Sequence, residues 1–463
     1  MKNIILIDID CMMIDSISKS KEIYIDTLIV GSDKQKEEIE KIYKLNNILS
    51  AESINKFYTD NNIDLDYSII EKYRHTQLKV EHFFSRKTTD INSIQYIYYS
   101  ALSYWIDRFQ QNNIDAVFSA GIEFGSTFDT IIYDVAKYNN KKVVIMEVSL
   151  NNGTSIANQV FDYTNKKYLK VNAKENGLKI LKIDDFLYNS VIAKNNNNFQ
   201  SFKGFLQKTP EKYGGFLIVM FASLLLGKYK SIHHSFNTSY WAYFRNYFYS
   251  KKLLKYYNSL SVEFDRTKKY VYYSLHMEPE ASTLVRTIFS NQLVIIKTLS
   301  QSLPNGWILY VKEHPHQFTK LNNFSRYFYL SSIDKFKTKR YYDEIVKLKN
   351  VKLLNINQQS NDVIKYSQAV VTINGTVVIE AVNINKPILM FSQYTSPLVK
   401  IDGIININTS TECKCYFDRI KIKKDDNLKY TNFGIIVSEY MFEVSRNRQF
   451  DYVNLVKSLI KEK

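Results

Sequence analysis

Apolar positions follow two rhythms in the first part of the chain. Continuous apolar runs at Asn3–Ile9, Ile114–Ser119 (IDAVFS) and Lys142–Val148 (KVVIMEV) predict buried strands. Lys34–Tyr43, Ser68–Phe84, Ser93–Gln111 and Phe128–Tyr138 place apolar residues at helical spacing and predict amphipathic helices. A glycine-bearing turn, Ala120–Gly125, joins the second strand to the helix at Phe128. Strand, turn, helix, strand at this spacing is a βαβ unit, which implies a parallel sheet.

The second half repeats the alternation more clearly. Tyr270–Leu275, Trp307–Val311, Asn350–Leu354, Ala369–Ile373 and Pro387–Phe391 read as strands. Ala281–Leu303, closed by Pro304, and then Asp362–Ser367 and Thr376–Asn383 read as the helices between them. Tight turns concentrate here, because five of the six prolines lie between Pro279 and Pro397. Strands that run into a loop and then a helix describe a second doubly wound domain. A polar, Asn-rich loop covers Lys194–Lys208, and a helix is expected over Phe450–Lys463. The predicted architecture is therefore α/β: an N-terminal domain over residues 1–265, a C-terminal domain over 266–445, and a terminal helix over 446–463. The boundary is placed near Phe264–Lys269, with a cleft between two Rossmann-like domains. No internal repeat is visible.

Composition narrows the class. The chain of 463 residues, 45% hydrophobic and 23% charged, has the balance of a folded protein of two or three domains. That excludes a disordered chain and a disulfide-stapled mini-protein. Cys11, Cys413 and Cys415 form no disulfide framework and no CxxC, and read as free thiols in a reducing cytoplasm. Asp8 and Asp10 interrupt the first apolar run, so it is not expected to be a secretory signal. The best membrane-span candidate, Phe216–Leu226, is well short of the roughly 20 residues a spanning helix needs.

The net charge of +16, with 36 Tyr and 28 Phe, implies a basic surface with aromatics to place, suited to an anionic partner. Part of the charge is local. No acidic residue occurs between Glu211 and Glu263, while Lys212, Lys228, Lys230, Arg245, Lys251, Lys252 and Lys255 interleave with aromatics up to Tyr257. Such a stretch can lie on an anionic membrane, stack on single-stranded nucleic acid, or be packed aromatics with solvated lysines. Charge alone supports nucleic acid, and it is not among the expected partners.

The motif search begins with absences. There is no P-loop, no GxGxxG after a strand, no HExxH and no GxSxG. Asp8-Ile9-Asp10 ends the first strand, but Cys-Met-Met follows it where a phosphatase site uses small turn residues, so it reads as a polar strand end. No metal site is expected.

YSLHMEPEAST (Tyr273–Thr283) puts His276, Glu278 and Glu280 at the C-terminal end of a strand, where open α/β sheets bind ligands. They suit proton transfer or oxocarbenium stabilisation, or they cap the next helix. Lys312-Glu313-His314-Pro315 ends the next strand. Lys312 and His314, two apart, share a face and can grip a phosphate, or merely form an exposed strand end. Ile373-Asn374-Gly375-Thr376 precedes a helix. Gly375 permits close backbone approach, free N–H groups attract an anion, and Glu380 lies one turn on; an ordinary N-cap fits equally. In the first domain Glu123 and Glu147 are candidates for a general base.

YSLHMEPEAST, then KEHP, then VTINGTVVIEAVNINKPILMF resembles the ordered motifs of bacterial capsular polysaccharide and lipopolysaccharide glycosyltransferases of the Kdo-transferase type. The resemblance covers about residues 270–395. It implies a GT-B fold, a nucleotide-sugar donor and no cofactor. By that likeness Lys312 and His314 would contact the donor phosphate, with Gly375 and Thr376 beside it. Glu380 would take the ribose, and His276, Glu278 and Glu280 would line the sugar site. Asn374 departs from the Thr or Ser common before the Gly. A His-Pro motif and a hydroxyl-bearing helix start also resemble bacterial sialyltransferases. A single phosphate needs only two cationic side chains and a helix start, which favours a CMP-linked ulosonic acid, Kdo or sialic-like. The implied acceptor is a lipid-linked glycan, with the protein peripheral on the cytoplasmic face of the inner membrane. The alternatives are a UDP, GDP or CDP donor, or a non-catalytic polysaccharide- or membrane-binding scaffold.

Overall fold

The computed structural model describes residues 2–8, 11–45, 47–85, 90–119, 129–151, 156–171, 179–180, 229–230, 237–238, 240–278, 291–314, 317–318, 333–373, 375, 377–392, 397–422, 430, 432–444 and 456–458. The expected segments 194–208 and 216–226, and most of 450–463, lie outside them.

The first sheet begins with β1 (Lys2–Ile7), β2 (Ile23–Val30), β3 (Ile48–Ser50), β4 (Ala116–Ser119) and β5 (Lys142–Asn151). These five are parallel, in the order β3-β2-β1-β4-β5. Both faces are covered, so the strands are apolar without alternation. Ile5, Ile7, Val117 and Val143 enter one core, and Ile4, Leu6, Phe118 and Val144 enter the other. Beyond β5 the sheet turns antiparallel through β6 (Ile156–Asp162), with β7 (Lys167–Leu169) and β8 (Lys179–Ile180) on its far side. A small ribbon pairs β9 (Tyr229–Lys230) with β10 (Asn237–Thr238).

The sequence pattern did not reveal β2, because Asp26 interrupts IYIDTLIV. The carboxylate is buried there, and Arg108 satisfies it at 2.9 Å from the long helix Ile91–Gln111. The expected helix over 68–84 is two helices, Tyr67–Lys72 and Arg74–Phe84, which part at Tyr73.

The second sheet is wholly parallel. Its strands are β11 (Tyr270–Ser274), β12 (Ile308–Lys312), β13 (Val351–Leu353), β14 (Ala369–Thr372), β15 (Ile388–Met390) and β16 (Ile404–Asn406). Their order, β13-β12-β11-β14-β15-β16, is that of the doubly wound nucleotide-binding fold. The two Rossmann-like α/β domains expected of a GT-B chain are therefore present.

Part of the aromatic load lies inside. Val271 and Tyr273 of β11 face one core and Tyr270 and Tyr272 the other. Each tyrosine hydroxyl is within hydrogen-bond reach of a partner: Tyr270 donates to the Val363 carbonyl at 2.6 Å, Tyr273 to Gln292 Oε1 at 3.3 Å, and Tyr272 lies 3.4 Å from Ser360 Oγ. A buried Tyr is tolerated when its hydroxyl is so paired. The surface aromatics implied by composition are thus, at these positions, core tyrosines.

Three expected boundaries change. The helix Tyr240–Leu260, assigned to the first domain by sequence, buries Leu253 and Tyr257 in the core of the second sheet. Lys251, Lys252 and Lys255 lie on its exposed side. The expected helix over 281–303 is described from Gln292 to Ser302. Extended Asn291 caps it by accepting from the Leu293 N–H, so the helix is not continuous from 281. Leu303, before Pro304, is extended as proline requires.

The chain also returns to the first domain before residue 445. The helix Phe433–Tyr440 packs Val437 and Tyr440 on the second domain, and β17 (Met441–Val444) pairs antiparallel with β6. Tyr168 packs against cores of both sheets, and the Val171 N–H donates to the Glu439 carbonyl at 2.8 Å. Further on, Val456 is buried in the first domain's core, and residues 456–458 are helical. Among the described residues no helix is long and apolar enough to cross a membrane.

Leu253→Ala tests the reassignment of the helix Tyr240–Leu260. Removing a fully buried Leu side chain costs about 2–5 kcal/mol. Urea denaturation followed by a probe in each domain should show the loss in the second domain's transition, with the first unchanged.

Candidate functional site

In the second sheet the chain runs outward from β11 to β12 and β13, then crosses back to β14. The carboxyl ends of β11 and β14 are therefore neighbours whose following loops diverge, the place where doubly wound sheets bind ligands. The His276 loop and the Gly375 loop meet there. His276 Nε2 is 3.3 Å from Thr372 Oγ1. The same hydroxyl oxygen accepts from the Gly375 N–H at 3.1 Å.

Gly375 crosses close to the imidazole. A Cβ built on it would lie 3.1 Å from Thr372 Oγ1 and 3.3 Å from His276 Cε1. A hydrogen atom is all this position accepts without the neighbours moving. Thr372, which sequence reasoning missed, is the hinge of the contact. Its only sequence signal is a hydroxyl at the end of an apolar strand.

The imidazole of His276 is buried, and burial is the main reason its pKa falls from 6.5 to about 3. The positive charges of His314 and Lys337 act in the same direction. His276 is therefore neutral at physiological pH and serves as a hydrogen-bonding group. His314, half-buried, lies on the next loop, close enough for its charge to act on His276.

Two glutamines hold the His276 loop. Gln292 accepts from the His276 N–H at 2.9 Å and donates to the His276 carbonyl at 3.0 Å. Gln317 accepts from the Glu278 N–H at 2.7 Å and donates to the Glu278 carbonyl at 2.8 Å. Each side-chain amide thus replaces the backbone partner that a loop lacks.

Glu278, expected as a catalytic carboxylate, turns inward. Its Oε1 accepts from Gln292 at 2.6 Å and its Oε2 lies 3.7 Å from Lys337 Nζ. With both oxygens engaged and the side chain buried, it braces the loop. Glu313 is more deeply buried, and burial raises its pKa. It accepts from the His314 N–H at 2.8 Å and from the Tyr342 hydroxyl at 2.8 Å.

Lys312 ends β12 and His314 follows it two residues on. The Lys312 ammonium donates to the Gln358 carbonyl at 2.5 Å and lies 3.3 Å from Ser360 Oγ, so it fixes the loop after β13. Burial lowers its pKa to about 8. Glu380 stands half-buried in the first turn of the helix Val377–Asn383. Glu123, Glu280, Asn374 and Thr376 lie outside the described residues.

The first domain contributes Glu147 near the carboxyl edge of its parallel strands, two residues beyond the level of Ser119. It is buried, it accepts from Gln159 Nε2 at 3.1 Å, and Tyr168 also hydrogen-bonds to it. Burial raises its pKa from 4.5 to about 7. At the corresponding switch point of this sheet, Asp8 is exposed and takes a left-handed backbone with φ 53°. Asp10 lies outside the described residues. Among the described residues no group of three or more His, Cys, Asp or Glu side chains is placed to hold a metal ion.

No protein-family model matches the chain, and no curated protein matches it. Among solved structures, it is similar to the UDP-GlcNAc 2-epimerase from Methanocaldococcus jannaschii at 12% identity, over 99% of this chain and 100% of that one, with a TM-score of 0.26. The S. aureus MnaA–UDP co-structure is 12% identical over 100% and 99%, with a TM-score of 0.30. The beta Kdo 2,7 transferase KpsC of Thermosulfurimonas dismutans is 12% identical over 78% and 89%, with a TM-score of 0.32. At such TM-scores the likeness carries no argument, and the fold rests on strand order and register.

The two perturbed groups make opposite predictions for stability. His276 binds its proton less tightly folded than unfolded, so it removes stability as pH falls from 6.5 toward about 3. Glu147 binds its proton more tightly folded, so its contribution is present below 4.5 and is lost as pH rises through about 7. In urea titrations across pH, His276→Gln should flatten the acid limb by a few kcal/mol at most, and Glu147→Gln should flatten the limb between pH 4.5 and 7. An unchanged acid limb in His276→Gln would show that the imidazole is not buried in this way.

Proposed function

We propose that the chain is a nucleotide-sugar-dependent glycosyltransferase that binds its donor at the β11–β14 switch point. The observation that carries this reading is the contact of His276, Thr372 and Gly375 at that point, with His314 beside it. A glycine-tight backbone next to a neutral imidazole makes a polar floor that a flat or charged ligand group can approach closely. The motif resemblance supports a sugar donor of the capsule and lipopolysaccharide type.

In this reading His314, as imidazolium, stabilises the leaving phosphate as charge develops on it, and Gly375 permits its close approach to the backbone. Lys312 holds the loop after β13 at the same edge, and its remaining ammonium hydrogen can reach the phosphate. Neutral His276 donates to or accepts from the sugar. Glu380 takes the ribose. Among the described residues few cationic groups stand at this edge, which favours a single-phosphate leaving group, hence a CMP-linked ulosonic acid. Glu147, with a pKa near neutrality, is suited to accept a proton from the acceptor hydroxyl. Proton abstraction would accompany inversion at the anomeric carbon, whereas carboxylate attack would accompany retention.

The proposed acceptor is a lipid-linked glycan, with the enzyme peripheral on the cytoplasmic face of the inner membrane. The exposed lysines of the helix Tyr240–Leu260 support that placement by their attraction to anionic lipid.

Thermal shift with CMP, UDP, GDP and CDP tests the donor class. CMP should raise the melting temperature of the wild type, and His314→Ala should weaken CMP binding by about tenfold, the worth of one charge-assisted hydrogen bond. Stabilisation by UDP and not by CMP would replace the CMP donor with a diphosphate one. No response to any nucleotide would overturn the glycosyltransferase reading.

A further inference from the structure

Lys337 lies outside every motif quoted above. It follows the short helix Ile333–Phe336, and its side chain is fully buried. A buried lysine is rare unless it is paired. Its Nζ lies 3.4 Å from Glu313 Oε2, 3.7 Å from Glu278 Oε2 and 3.0 Å from the Tyr341 hydroxyl, and 4.1 Å from the centre of the Tyr341 ring. Glu278 belongs to the loop after β11 and Glu313 to the loop after β12. One ammonium therefore ties together the two loops that carry His276 and His314.

The other groups of the cluster are already committed. Gln292 and Gln317 bond the backbone of the His276 loop, Tyr342 bonds Glu313, and the Tyr257 hydroxyl accepts from the Glu313 N–H at 3.1 Å. None of these crosses from the Glu278 carboxylate to the Glu313 carboxylate. Lys337 does, and without it two carboxylates would face each other in the interior, where like charges repel strongly.

We propose that Lys337 is a positioning residue: through Glu278 and Glu313 it sets the spacing of His276 and His314 at the β11–β14 edge. This rests on the reading of that edge as the donor site. If Lys337 merely filled the core, its loss would lower stability and leave the two imidazoles as they are.

The test uses the full chain with labelled histidine, comparing ring signals by NMR and CMP affinity by calorimetry. The ring signals are assigned with His276→Gln and His314→Gln. Lys337→Met is set against Lys79→Met, which breaks the pair of Lys79 with buried Asp134 in the first domain, at 3.0 Å. Both variants should melt at lower temperature. Lys337→Met alone should shift the His276 and His314 signals and weaken CMP binding by at least about tenfold, as misplacement of binding groups does. Should Lys337→Met fail to fold, Lys337→Met with Glu313→Gln removes one charge of each sign, and the same shifts are expected. Wild-type ring signals in a folded Lys337 variant would overturn the proposal. If wild type binds no CMP while the ring signals move, the donor assignment falls and the positioning role stands.

Discussion

Two carboxylates and one ammonium share the interior beneath the ends of β11 and β12, and the candidate site is built on that arrangement. Glu278, Glu313 and Lys337 are each less than a tenth exposed. Charges so placed must be mutually paired, because an unpaired one loses its hydration with nothing in return. Pairing leaves little freedom in where the two loops run. The glutamine amides of Gln292 and Gln317 then settle the backbone, and the aromatic wall of Tyr257, Tyr341 and Tyr342 excludes water from it. Buried charge thus ties the start of one loop to the start of the other.

Burial at this edge gives His276 its chemistry. A neutral imidazole at physiological pH is an unusual partner for a phosphate, and a suitable one for a sugar hydroxyl or carboxylate. Positive charge at the same edge is left to His314 and to Lys312, whose own burial favours the neutral form. The division separates a neutral hydrogen-bonding floor from charged groups around it. In the first domain, Glu147 sits between Gln159 and Tyr168, and Tyr168 also packs on the second domain's core.

Much of the fold was legible because parallel strands covered on both faces are plain apolar runs. β1, β4, β5 and every strand of the second sheet up to β15 fall within two or three residues of their expected limits. β2 was not legible, since one buried aspartate breaks its pattern and its partner, Arg108, is distant in sequence. The helix Tyr240–Leu260 was assigned to the wrong domain because hydrophobic spacing does not say which core a helix joins. At the candidate site, the strand-end positions of His276 and Gly375 were legible, and the structure brings the two together. Thr372, Gln292, Gln317 and Lys337 were not, because their roles depend on contacts across long sequence separations. Glu278 was visible, but its partners Gln292 and Lys337 were not. Sequence shows a carboxylate near a strand end, and only packing shows which way it points.

In the proposed mode of binding, a nucleotide sits over the contact of His276, Thr372 and Gly375. A crystal structure of the full chain with CMP measures it most directly. The phosphate should lie within hydrogen-bond distance of the Gly375 loop and His314, at the carboxyl ends of β11 and β14. Nucleotide bound at the first domain's edge instead, or an empty β11–β14 edge at saturating CMP, would contradict it.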